Sequence, residues 1–302
     1  MVKEHPGHFL RGLRAYGGMD IHSAETPGEE PGERVAWGMT RPIIALRLLL
    51  ANRDLLRAAL IPPFCLAVAC AVFALLKANG AGSFVKRFYL TFAALAPLPS
   101  LIFARHYARF AARVRMRFGF GECKPRIEPL GTSIRRVIHG FIMLSIAPVV
   151  LFVPVAIFIG ITPLPRRTFT LLSAAITAVW ALHWIVVDAL DNAQVVIPGR
   201  SPPAAPAPWF VHMLRRVRFA SRIFDRYSKF WREEIEIIER HRAIALGFGL
   251  ATAALLATPV LNLFFRPITI AAAVQLSAAL EKPDQHPEHD SDTDSMSRES
   301  PS

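Results

Sequence analysis

Arginines at the mouths of apolar segments are the residues of this chain whose types and spacing could do chemistry. Gly131, Thr132 and Ser133 stand just before Arg135 and Arg136, and small polar residues of that kind cap a helix start, where free N–H groups carry partial positive charge. Such a cap with an arginine pair beside it can hold an oxyanion. It serves equally as a positive anchor at a membrane surface. His139, His183, Asp188 and Asp191 are the candidates for proton transfer, since ionisable groups near membrane depth are costly and are kept for a use. Against that, Asp188 ends an apolar run, where water reaches it, and His183 sits between Trp180 and Trp184 like a member of an interfacial aromatic belt. The sequence has no nucleophile elbow, no metal-ligand spacing and no Gly-rich phosphate loop, so it points away from an enzyme and calls for no cofactor or metal.

Elements that could position such arginines are apolar to a degree unusual in a water-soluble domain. Of 302 residues, 53% are hydrophobic and 19% charged, and the mean hydropathy is +0.34, which together predict an integral membrane protein. The net charge of +12 would suit nucleic acid, but the basic residues fill the gaps between apolar blocks. That placement fits anionic lipid headgroups instead, and nucleic acid is excluded as a partner. Cys65, Cys70 and Cys123 form no paired framework. Residues 1–40 lack the apolar core of a secretory signal and read as a disordered polar segment; 41–280 form the membrane domain. The tail, 281–302, carries seven acids against two basic residues and reads as disordered and acidic.

Taken in order, 41–57 reads as an interfacial helix and 58–76 as a first span, with Pro62 and Pro63 in its first turn. Residues 88–104 form a short second run, kinked at Pro97 and Pro99. The stretch 105–136 holds nine Lys or Arg against two acids, which marks it as cytoplasmic. Within it Arg105, Arg109, Arg113 and Arg117 share one helix face, and Tyr107, Phe110, Val114 and Phe118 share another. Two further spans follow, 137–165, read as one helix or two, and 168–187. A Pro-rich linker over 198–208 leads to a helix predicted over 209–242, with Phe210, Val217, Phe224, Trp231 and Ile238 seven residues apart. The fold class is therefore all-α: about four spanning helices, amphipathic cytoplasmic helices and a last apolar block.

That block, 243–280, is broken at Pro259, Arg266 and Pro267. Its halves, 243–258 and 267–280, are too short for the hydrocarbon core; 16 residues reach about 24 Å against roughly 30 Å. The pattern predicts a re-entrant, half-penetrating hairpin. The run LGFGLATAALLATPVLNLFFRPITIAAAVQL, with Pro259, Leu261, Asn262 and Pro267 at its turn, resembles the closing segment of the CysZ sulfate-permease and etoposide-induced membrane protein family. Weaker similarity extends over roughly 38–280.

The resemblance implies a helical inner-membrane homo-oligomer with both termini cytoplasmic, and in bacterial members a role in sulfate uptake. Arginines before the first span contact the anion in those members, and the matching position here is Arg57, with Arg53 one turn earlier; the family's Pro-Gly is absent and Leu56 replaces its other arginine. Asn262 and Arg266 at the hairpin tip suit an anion path or a polar plug between subunits. Two functions follow as expectations: a permease or channel for a small oxyanion such as sulfate, with Arg53, Arg57, Arg135 and Arg136 as anion contacts, or a non-transporting scaffold that organises lipids or partner proteins.

Overall fold

Two helices meet at Asn52 in the computed structural model, which describes residues 28–77, 81–95, 102–121, 123–161, 166–196, 207–208, 211–212, 218–257 and 259–280. Helix α1 (Pro31–Ala51) ends there and α2 (Arg53–Lys77) begins. Asn52 is extended, at φ −120° and ψ 104°, and its side-chain oxygen accepts the N–H groups of Asp54 and Leu55, both at 3.2 Å. A local side-chain cap of this kind turns the chain sharply without leaving the new helix's donors unsatisfied. Two expectations are corrected here. Pro31 starts a helix inside the segment read as polar and disordered, its missing N–H costing nothing at that position. And 41–51 is not a peripheral helix: Arg41, Ile44, Ala45 and Leu48, with Trp37 before them, are buried against the rest of the protein, while Ile43 and Leu50 are exposed.

Helix α2 contains Pro62 and Pro63 in its interior rather than its first turn, because it starts at Arg53. Helix α3 (Ala81–Leu95) packs beside it and carries Lys86 and Arg87 within its length. The run expected over 88–104 is thus placed too late, and 96–101 lie outside the described residues. Helix α4 (Ala104–Arg117) is amphipathic as its spacing predicts: Tyr107, Phe110, Val114 and Phe118 are buried while Arg105, Arg109, Arg113 and Arg117 face outward. Gly119 and Gly121, at φ 75° and 85°, turn the chain back through conformations that side chains rarely adopt. A two-residue strand β1 (Lys124–Pro125) then pairs antiparallel with β2 (Val195–Val196).

Between those strands run α5 (Leu130–Ile161) and α6 (Arg166–Ala193). Helix α5 is a single helix of 32 residues, about 48 Å at 1.5 Å per residue. Arg136 faces Asp191 and the Met143 carbonyl accepts the Trp180 indole N–H at 3.2 Å, so α5 and α6 run antiparallel. The helix expected over 209–242 is not continuous among the described residues. Helix α7 (Arg218–Ser228) passes through a 3₁₀ turn, Lys229–Trp231, into α8 (Arg232–Arg240). Phe224, Trp231, Ile235 and Ile238 still point inward.

Helix α9 (Arg242–Ala257) and α10 (Pro259–Leu280) form the last apolar block. The predicted break at Pro259 holds, but α10 continues through Pro267, which removes one backbone hydrogen bond from the helix interior. Residues 267–276 are buried on every side, against α1, α6, α4 and α2, so this helix is the centre of the molecule. Alongside it α1 and α9 touch backbone to backbone. A Cβ on Gly38 would lie 2.2 Å from the Ile244 carbonyl oxygen, and one on Gly247 would lie 2.0 Å from that of Val35.

Among the described residues, Arg53–Leu76 and Thr170–Ala193 are long and apolar enough to cross a membrane. Only 28% and 22% of their most apolar windows are buried, whereas the core helix of a soluble protein would be mostly covered. Phe64, Phe73, Leu76, Leu171 and Val179 are exposed on them.

Candidate functional site

Where the first turns of α5 approach the last turns of α6, opposite charges gather. The β1–β2 pairing carries the loop after β1 to the same place, adding Arg126 and Glu128. Arg136 donates through Nη1 to Asp191 Oδ1 at 2.5 Å and through Nη2 to Glu128 Oε1 at 2.7 Å, and Arg126 Nε lies 3.1 Å from the same Glu128 oxygen. The Arg136 and Asp191 side chains are only 13% and 9% exposed. Burial works against the Arg136 charge, but Asp191, Glu128 and Glu234 together hold its pKa above the ordinary value.

From α10, Arg266 donates to both oxygens of Asp188, at 2.8 and 2.6 Å. Asn192 Nδ2 donates to the Asp188 carbonyl at 2.7 Å. The Arg266 guanidinium also lies 5.9 Å from the ring centre of Tyr107, whose phenol burial pushes up to about 12. From α8, Glu234 is 1% exposed and accepts Gln194 Nε2 at 2.5 Å. Burial, reinforced by the Asp191 carboxylate, holds the Glu234 carboxyl well above the usual range.

Of these groups, Arg126, Glu128, Arg136, Asp188, Asp191, Asn192, Gln194 and Arg266 floor a cavity of about 720 Å³ between α4, α5, α6 and α10. Arg105, Arg126, Arg136 and Arg266 line it, against Glu128, Asp188 and Asp191, which leaves one positive charge in excess. Three lining residues, Arg136, Trp184 and Arg266, each have a buried N–H (Nε, Nε1 and Nε) with no acceptor on any described residue. Each such unsatisfied donor costs about 1–3 kcal/mol. Arg105 is exposed and makes no ion pair among the described residues. Chemically the cavity is suited to an acceptor-rich, negatively charged group.

Of the residues singled out in the sequence, Arg105, Arg136, Asp188, Asp191 and Arg266 come together here. Arg53 and Arg57 are exposed on the first turns of α2 and do not line the cavity. Arg135 faces outward, its guanidinium 5.6 Å from the Phe230 ring centre. Asn262 lies in the first turns of α10, and its side chain is outside what the structure describes. The expected cap does not form: α5 starts at Leu130, and Ser133 Oγ donates back to the Pro129 carbonyl at 3.4 Å instead of accepting an N–H. Asp188 is engaged by Arg266 rather than only hydrated, while the His183 ring stacks on Trp180 at 5.8 Å, so the two do not form a relay. His139 packs between Tyr227 and Phe230, with ring centres 4.8 and 5.1 Å away.

Glu128, Arg126, Gln194 and Glu234 carry no motif by which the sequence could mark them. One signal was there: two apolar helices with a short connection run antiparallel, so charges flanking their far ends, Arg135–Arg136 and Asp188–Asp191, must meet. No family model matches this chain, and no curated protein matches it either.

Proposed function

We propose that this chain is a multi-pass membrane protein that binds a small oxyanion such as sulfate in the arginine-lined cavity between α4, α5, α6 and α10 and passes it across the bilayer. The excess of arginines over carboxylates on that cavity, with Arg105 outside any ion pair among the described residues, carries the reading. The resemblance of 243–280 to the CysZ family supports the choice of ligand, and the outward apolar faces of α2 and α6 support a bilayer setting. The contacting residues differ from the expected ones. Arg105 and Arg126 take the place of Arg53 and Arg57, because they line the cavity and are the least committed of its cations.

Radiolabelled sulfate uptake into proteoliposomes tests this directly. A hydrogen bond to a charged group is worth about 1.5–3 kcal/mol, so an Arg105→Ala, Arg126→Ala double variant is expected to lower apparent affinity at least ~10-fold. Arg57→Ala is expected to leave uptake unchanged. Uptake no faster than in empty vesicles, or equal loss in Arg57→Ala, overturns the proposal.

A further inference from the structure

Resting on the oxyanion reading of the cavity, we infer that its resident ligand is a glycerophospholipid, held with its phosphate against Arg105 and Arg126 and its hydrocarbon along the apolar walls. Size is the first reason. A cavity of about 720 Å³ falls within the roughly 300–1,000 Å³ of pockets that enclose a drug-sized molecule, whereas a five-atom oxyanion leaves most of it unfilled. The walls are the second. Along α5 the lining passes from Ser133 and Arg136 to Ile138, Phe141 and Leu144; along α6 it passes from Asp191 and Asp188 to Ile185 and Ala181. Because the helices are antiparallel, both charged ends coincide and both apolar stretches coincide. The cavity has a head end and a tail end.

Access is the third reason. Ile138, Phe141 and Leu144 line the cavity and are 52%, 68% and 46% exposed, so it opens sideways on the apolar flank of α5 rather than only toward water. A solute arriving from water has no use for such an opening, but a lipid sliding in from a leaflet does. Charge complementarity selects the headgroup. Arg136 and Arg266 are already tied to carboxylates, while Arg105 makes no ion pair among the described residues and Arg126 holds Glu128 through a single, partly exposed contact. These two cations are separate donors on one cavity, so they fit a ligand with several separated acceptors. A phosphodiester with two ester carbonyls supplies that spread; a lone carboxylate does not.

Native mass spectrometry of the delipidated full-length protein in detergent, titrated with 1-palmitoyl-2-oleoyl-phosphatidylglycerol and separately with sodium sulfate, tests the inference. One saturable lipid adduct is expected. Ala181→Trp, which fills the tail end, should weaken it at least ~10-fold while sulfate binding stays unchanged, a change of the size that one lost anchoring contact produces. Ile138→Trp, on the exposed rim, makes the same test without disturbing buried packing. Arg105→Ala with Arg126→Ala should weaken lipid and sulfate alike. If sulfate binds but lipid binding is absent, or is untouched by both tryptophan variants, the cavity takes a free oxyanion and the lipid inference falls alone. If lipid binds as expected and sulfate does not, the lipid inference stands and sulfate permeation falls. Binding of neither overturns both.

Discussion

At the residue level the cavity floor depends on who neutralises whom. Arg136 sits between Asp191 and Glu128, and with side chains this buried, losing the guanidinium would strand two carboxylates, which is costlier than the pair is worth. Such pairs fix geometry more than they add stability. Glu234 shows the other side of the same physics. It is buried, and Oε2 has no hydrogen-bond partner among the described residues, so the neutral carboxyl is the favoured form. Its folded pKa lies above the unfolded 4.5, which means the folded state holds the proton more tightly. Stability linked to Glu234 is therefore full below the ordinary carboxylate range and declines as pH rises toward the elevated folded value. Glu234→Gln keeps an acceptor for Gln194 and removes that decline. Thermal unfolding in detergent from about pH 5 to about pH 8 should show the variant gaining on the wild type as pH rises, since only the wild type has proton-linked stability to lose. A gap that does not change with pH would mean Glu234 is ionised in the fold.

At the level of elements, the α1–α9 contact sets the core. Small residues let helix backbones approach closely, and Gly38 and Gly247 do this reciprocally, each against the other helix's main chain. Main chain cannot swing aside as a side chain can. Gly38→Ala or Gly247→Ala should therefore lower stability by about 1–3 kcal/mol or more, as overpacking does, and Gly82→Ala, with nothing near its Cβ, should not. Detergent melting curves in which all three variants match the wild type would show that this close approach is absent. The glycines of LGFGL stand plainly in the sequence, but nothing local says which helix they meet. Element type was legible from hydropathy and spacing: α4's two faces and the break at Pro259 fall where the pattern puts them. Boundaries set by capping were not. The Asn52 cap splits a stretch whose hydrophobic pattern is continuous, and the apparent cap at Gly131–Ser133 lies already inside a helix.

For the whole molecule, apolar surface falls into two kinds that composition cannot separate. Helix α10 is apolar because it is surrounded by protein, whereas α2 and α6 are apolar and largely uncovered. Hydropathy alone does not separate these two kinds, and the last block, read as a half-penetrating hairpin, is central. The cavity was likewise out of reach, since its charges come from separate stretches of chain joined only by helix packing and the two-residue β1–β2 pairing. Cys65 offers a direct test of what covers α2. It is exposed and lies in the middle of Arg53–Leu76. Thiols react with maleimide as thiolates, which hydrocarbon suppresses, so in a bilayer an exposed Cys65 should be inert toward a water-soluble reagent. In a protein with Cys70→Ala and Cys123→Ala, reconstituted in vesicles opened by freeze–thaw, labelling of Cys65 should be at least ~10-fold slower than that of a cysteine placed by Arg53→Cys at the end of the same helix, because only the latter reaches water. Dissolving the vesicles in sodium dodecyl sulfate should bring the two rates together. Equal rates before that step would mean that water, or nothing, covers the α2 face, and the bilayer setting on which the oxyanion and lipid proposals both stand would be lost.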